Sequence, residues 1–433
     1  MALPPSNHPN LWHPFTQAKT APPPLKVKAA QGVWLELATG QQLLDCISSW
    51  WVNTHGHSHP HIAQAIAHQA QTLEHVIFAG FTHDPAEQLA EKLVQKLPGD
   101  LSRVFFSDNG STAVEVALKI AYQYWQNQGQ PRSTFLAFEG AYHGDTFGAM
   151  AVGERCLFTA AFNDLMFGVE FAPLPQVWWG KDAIEAEEQG ILAEITAKFQ
   201  REPQKYAALI LEPLVQGAGG MRMCRPEFLQ QLVQVCRSAG VLVILDEVMT
   251  GFGRTGDWFA CQRAAVEPDL ICLSKGITGG FLPLAVTVAT EHLYQAFYSD
   301  DPNHTLYHGH SYTANPLGCA AAIAGWDLME HHEPRFMGLE QQHTRHLQAL
   351  QEIPGVSRCR VMGTIAALDW VSDRSGYLSD WGLQVRQKAQ ERGLLLRPLG
   401  NVLYLLPPYC ITDEELAWVY EQTRFILQDL SLS

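Results

Sequence analysis

The chain has 433 residues, 47% hydrophobic and 17% charged, which is the composition of a folded protein long enough for two domains. Its net charge of −15 repels polyanions, so nucleic acid is not expected as a partner. Apolar runs such as residues 241–245 are far too short for a bilayer span, so no membrane partner is expected either.

The first residues carry Pro and His where a signal peptide needs a basic start and an apolar stretch, so a cytoplasmic location is expected. Residues 1–25 read as irregular, with Pro4-Pro5 and Pro22-Pro23-Pro24. Trp50 and Trp51 are adjacent, an uncommon pairing that a core can hold. His55, His57, His59 and His61 then alternate. An extended segment would turn all four imidazoles to one face, as a metal site needs. Gly56, Pro60 and a helix beginning near Ile62 suit a turn better, and no metal is expected.

From about residue 60, short apolar runs alternate with longer amphipathic stretches; the runs are residues 104–106, 135–138, 208–211, 241–245, 270–273 and 284–288. Strands apolar at every position are buried on both faces, so the expected class is α/β, a mostly parallel sheet under helices. Around Glu330 the texture changes to a long polar helix. Strands near 365–370 and 402–406 then read as part of a smaller α+β unit. The expected division is an N-terminal segment 1–55 packing with the small domain, a large cofactor-binding domain 56–328, and a small C-terminal domain 329–433. The nine cysteines show no pairing at two- to four-residue spacing, so neither zinc nor a CxxC motif is supported and buried free thiols are expected.

The most informative chemistry sits at strand ends. Asp246 closes the apolar run 241–245, and ligands of open α/β sheets bind beyond such ends. Lys275 follows the run 270–273 and precedes the glycine-rich Thr278-Gly279-Gly280. A desolvated lysine there can lose its proton and attack a carbonyl. Two readings remain open on these residues alone. One is a structural ion pair; the other is a site for pyridoxal 5'-phosphate, which needs an amine for its aldehyde and an anion for its ring nitrogen. Asn109-Gly110-Ser111-Thr112 follows a strand and opens a helix expected over residues 113–124, with Thr112 and Glu115 at capping-box spacing. Its free N–H groups and the Ser111 hydroxyl suit an anion such as a phosphate, although many ordinary helices begin this way. Tyr142 follows another buried strand and fits either a stacking aromatic or plain turn packing.

Together these segments resemble the class III (ω-amino-acid) aminotransferases, of the pyridoxal-phosphate-dependent transferase fold type I. The strings that carry the resemblance are Leu245-Asp246-Glu247-Val248, Gly251-Phe252-Gly253-Arg254 and Ser274-Lys275-Gly276. The resemblance implies that Lys275 holds the cofactor as a Schiff base and shuttles its proton. It further implies that Asp246 pairs with the ring nitrogen, Tyr142 stacks on the ring, and Gly110 and Ser111 bind phosphate. Within the class, Trp12-His13-Pro14-Phe15, Ser48-Ser49-Trp50-Trp51, Tyr142-His143-Gly144-Asp145, Glu212-Pro213 and Leu396-Arg397-Pro398 resemble the adenosylmethionine-8-amino-7-oxononanoate aminotransferases of biotin synthesis. By that resemblance Trp50, Trp51, Phe15, Tyr142 and Asp145 belong to the substrate site, and Arg397 binds the oxononanoate carboxylate. Gly309, His310 and Ser311 then reach the phosphate and substrate across a homodimer with shared active sites. Ala218 stands where glutamate-using relatives tend to carry an acid, which argues against glutamate as donor. Phe15 replaces a tyrosine whose hydroxyl helps hold the donor, so lysine stays open beside adenosylmethionine; His310 replaces a proline. An ω-amino-acid:pyruvate transaminase and a non-catalytic cofactor-binding regulator also stay open.

Overall fold

The computed structural model describes residues 10–371 and 380–432. A seven-stranded sheet runs in the spatial order Leu101–Ser107, Ala285–Thr290, Leu270–Leu273, Leu242–Asp246, Tyr206–Leu211, Thr134–Phe138, Val169–Ala172. Ala285–Thr290 runs against both its neighbours, and the other pairs are parallel. Tyr206–Leu211, Leu242–Asp246 and Leu270–Leu273 are buried at every residue, as a sheet covered on both faces requires. All six apolar runs picked out in the sequence coincide with strands of this sheet, two of them starting one residue early. The last enters reversed, a direction that apolar content does not encode.

The helix Gly110–Asn127 lies on the sheet through the small buried residues Ala113, Ala117 and Ala121. Thr287 Oγ1 donates to Ala113 O at 2.7 Å, which pins the first turn of this helix over the strand ends. Its start differs from expectation. Asn109, not Thr112, is the N-cap: its side chain accepts from Thr112 N, and Thr112 Oγ1 accepts from Asn109 N. The helix therefore begins three residues earlier than the expected 113, and Glu115 is left free for another partner.

Three antiparallel strands, Val27–Gln31, Trp34–Leu37 and Gln42–Asp45, are joined by Leu394–Leu395, which runs parallel to the third. The start of the chain thus pairs directly with its C-terminal part. A second antiparallel sheet comprises Val356–Met362, Ile365–Trp370 and Val402–Leu405. The helix Pro316–Gln351 connects the two regions, so the division expected between residues 328 and 329 falls inside one continuous helix. Arg254, buried to 1% exposure, crosses between the parts and donates to the carbonyls of Trp51, Asn53 and Pro407. The cysteines are free thiols.

Candidate active site

Asp246 is the last residue of its strand and Lys275 lies two residues beyond the end of the neighbouring one. Parallel pairing sets Asp246 beside Cys272, so both functional groups emerge on the same edge of the sheet. They line a cavity of about 450 Å³ together with Trp51, Gly110, Ser111 and Tyr142.

Lys275 has φ +46°, a left-handed backbone imposed on a residue with a side chain. A Cβ on the following Gly276 would come within 3.0 Å of Phe252, so the chain must pass close at this bend. The lysine Nζ lies 4.9 Å from the centroid of the Trp51 ring. Burial lowers its pKa, while the carboxylates of Asp246 and Glu212 pull the other way. The amine therefore gives up a proton more readily than a solvated lysine does.

Asp246 accepts on both oxygens. His143 Nδ1 lies 2.6 Å from Oδ2, and Val248 N donates to Oδ1 at 3.0 Å. His143 is buried, with no partner at Nε2 among the described residues. Glu212, quoted in the sequence only as part of a matching string and given no role there, also lines the cavity. Its oxygens accept from Tyr142 N at 2.9 Å and Gly217 N at 2.8 Å, and burial pushes its carboxyl up to about 7. The missed signal was of the kind that revealed Asp246: a carboxylate directly after a buried strand, here Tyr206–Leu211.

At the opposite wall, the first N–H groups of the helix Gly110–Asn127 have no intrahelical acceptor and face the cavity with the helix dipole. Gly110 is required, since a Cβ there would sit 2.6 Å from Val248 Cγ1. Ser111 Oγ accepts from Asp145 N at 3.1 Å, and a Cβ on Gly144 would sit 2.0 Å from that oxygen. Glu115 accepts from Thr146 Oγ1, Gly148 N and Ala149 N, which fixes the Tyr142 loop against this helix. Tyr142 is 37% exposed; burial and the Asp145 carboxylate push its phenol pKa up, so it stays protonated.

Beside the cavity lies an aromatic cluster. The Arg397 guanidinium is 4.5 Å from the Trp50 ring centroid, and Phe15 meets Trp50 edge-on at 5.6 Å. Both tryptophans ride on a turn in which Ser48, Ser49, Trp50 and Trp51 all have positive φ, from +45° to +74°. A left-handed turn without glycine costs roughly 1–2 kcal/mol per residue, so tertiary contacts must hold it. Gly309, His310 and Ser311 do not line this chain's own cavity. His310 Nε2 lies 3.9 Å from Asp108, and Ser311 is exposed.

These groups fit pyridoxal phosphate: a desolvated amine, a buried carboxylate steadied by an imidazole, an aromatic side chain, and an N-terminal helix cradle. The comparisons with known proteins point the same way. The family model for aminotransferase class-III matches residues 15–427. The chain is 62% identical over 424 residues to an adenosylmethionine-8-amino-7-oxononanoate aminotransferase from Synechococcus elongatus, covering 98% of this chain and 100% of that one. It is 41% identical to a protein of the same name from Geobacter sulfurreducens, covering 95% and 94%. Among solved structures, the aminotransferase of that name from Methanocaldococcus jannaschii superposes with a TM-score of 0.90 at 34% identity, covering 97% of each chain. An amine transaminase from an uncultivated Pseudomonas species, solved with PLP bound, gives 0.90 at 31% identity over 97% and 98%. On the match that spans almost its whole length, the chain belongs to the class III aminotransferases.

Proposed function

We propose that this enzyme transfers an amino group to 8-amino-7-oxononanoate, giving 7,8-diaminononanoate for biotin synthesis, with S-adenosylmethionine as donor. The observation that carries the substrate reading is the Trp50–Arg397 stack one residue along the chain from Trp51, whose ring faces Lys275. An apolar chain ending in a carboxylate needs an aromatic wall and a guanidinium to bind its end. The 62% identity to a relative named for this reaction supports it.

Bound pyridoxal phosphate supplies an aldehyde for the amino group and a ring that accepts the electron pair released when a proton leaves carbon. Lys275 would hold the aldehyde end, and its desolvated amine would carry that proton. Asp246 would keep the ring nitrogen protonated, with His143 orienting that carboxylate. Gly110 and Ser111 would hold the phosphate at the helix start, and Tyr142 would cover the ring. Asp145 joins the wall through its N–H to Ser111. Phe15, Trp50 and Trp51 keep water from the acceptor chain, and Arg397 binds its carboxylate. Overall the donor's amino group replaces the oxononanoate's carbonyl oxygen, which leaves as water, and water supplies the oxygen of the donor's new carbonyl. The reading extends to a cytoplasmic homodimer, with residues 309–311 of a second copy closing the phosphate end; the exposure of Ser311 supports this. The division into a large cofactor domain and a small C-terminal domain belongs to the same proposal, with the helix Pro316–Gln351 shared between them.

A donor panel on purified enzyme tests the reaction. Adenosylmethionine should support diamine formation, while β-alanine should not. Diamine formed from lysine alone would replace the donor, and absence of product with every donor would remove the substrate.

A further inference from the structure

Among the four alternating histidines, His57 alone touches the turn that carries both tryptophans. His55 stacks on His332, and His61 faces Asp327, both on the helix Pro316–Gln351. Among the described residues no group of three or more His, Cys, Asp or Glu could hold a metal ion. His57 points elsewhere, toward Asp45, which is fully buried.

Asp45 lies just before the turn and accepts from it twice. Ile47 N donates to Oδ1 at 3.1 Å and Ser49 Oγ donates to Oδ2 at 2.8 Å. His57 Nε2 lies 2.9 Å from the same Oδ2, and Asn53 Nδ2 lies 3.1 Å from His57 Nδ1. With the amide donating to Nδ1, the ring proton sits on Nε2 and points at Asp45. The histidine backbone is itself fixed, since Gly32 and His57 exchange both backbone hydrogen bonds. The two ends of the turn have other anchors: Ser48 Oγ donates to Leu406 O, and Arg254 donates to Trp51 O. Between those ends the Ser49 side chain is held by Asp45 Oδ2 and lies 3.4 Å from His57 Nε2.

We infer that His57 is a positioning residue. Through Asp45 it holds the left-handed turn Ser48–Trp51, and thereby sets the Trp50–Arg397 wall against the acceptor's chain and carboxylate. The inference rests on the reading of that wall as the substrate site.

The test uses His57→Ala, His57→Gln, Ser49→Ala and Trp50→Ala in the full-length enzyme. It measures steady-state kinetics, the bound-cofactor visible band, and calorimetric binding of 8-amino-7-oxononanoate to cofactor-free protein. His57→Ala should raise both KM and Kd for this substrate about tenfold, with kcat at saturation and the visible band unchanged. His57→Gln, whose amide still donates to Asp45, should recover most of the loss. Ser49→Ala removes one hydroxyl and should shift KM the same way by a smaller factor, which keeps the test decisive should His57→Ala fail to fold. Unchanged KM in both His57→Ala and Ser49→Ala overturns the inference, as does a fall in kcat and cofactor band with KM intact. A raised KM in Trp50→Ala alone would overturn only the role of His57. An unchanged KM in Trp50→Ala would overturn the substrate wall and this inference with it.

Discussion

The Nδ1 atom of His143 lies 2.6 Å from Oδ2 of Asp246, and both residues are buried. A buried carboxylate at a strand end needs hydrogen-bond partners such as this one and the Val248 N–H to offset its desolvation. The contact also leaves the carboxylate a fixed direction into the cavity. Replacing Asp246 by Asn keeps the shape and removes the charge. A neighbouring anion moves a pKa by about 1–3 units, so kcat should fall at least about 100-fold with the fold intact. His143→Ala should cost less, about tenfold in kcat, since the anion remains but loses its orienter. Steady-state kinetics on the two variants checks the order; an Asp246→Asn enzyme as active as the wild type would remove the ring-nitrogen role.

Gly110 sits where its absent Cβ would press within 2.6 Å of Val248. Gly110→Ala should therefore push the helix start outward and weaken cofactor binding about tenfold or more, read as Kd for pyridoxal phosphate added to apoenzyme. Unfolding midpoints of the cofactor-free proteins should differ far less.

Arg397 stacks on Trp50 and offers a planar fork to a carboxylate. Arg397→Lys keeps the charge and loses the fork, so KM for 8-amino-7-oxononanoate should rise about tenfold while KM for the donor changes little. Equal effects on both substrates would place Arg397 elsewhere in the reaction.

Glu212 makes stability depend on pH. Burial raises its folded pKa from 4.5 to about 7, so the folded protein binds more protons than the unfolded chain between those values. Its contribution is most favourable below pH 4.5 and declines as pH rises through 7. His343, held down to about 3 by burial, acts in the opposite sense, gaining stability as pH rises from 3 to its ordinary 6.5. The net slope mixes the two, so the informative quantity is the difference between wild type and Glu212→Gln. Urea midpoints of the apoenzyme should fall more for wild type than for the variant between pH 5 and pH 8. Parallel curves would show that Glu212 does not titrate in that range.

Phe15 lacks the hydroxyl that tyrosine would bring, yet its ring packs on Trp50 and Phe158. Phe15→Tyr should lower KM for adenosylmethionine and leave KM for the oxononanoate unchanged. A variant indifferent in donor KM would detach this position from the donor.

The sheet and the Asp246–Lys275 pair were legible because strands buried on both faces are apolar at every position, and a charged residue ending such a run stands out. The short strands Val27–Gln31 to Gln42–Asp45 were not, since they span only four or five residues each and the first is largely exposed. The left-handed turn at Ser48–Trp51 carries no glycine to announce it; its conformation comes from Asp45, Leu406 and Arg254, which are distant in sequence or silent in pattern. Thr112 and Glu115 had the right spacing for a capping box, but Asn109 takes the cap, leaving Glu115 to bind the Tyr142 loop. Spacing names candidates, and the tertiary partner decides among them.

The central claim is that Lys275 supplies the amine that holds the cofactor. Visible absorption and turnover of Lys275→Ala, reconstituted with pyridoxal phosphate, test it most directly. The enzyme should lose the bound-cofactor band characteristic of the wild type and all measurable diamine formation. A variant that keeps both the band and full turnover would contradict the account.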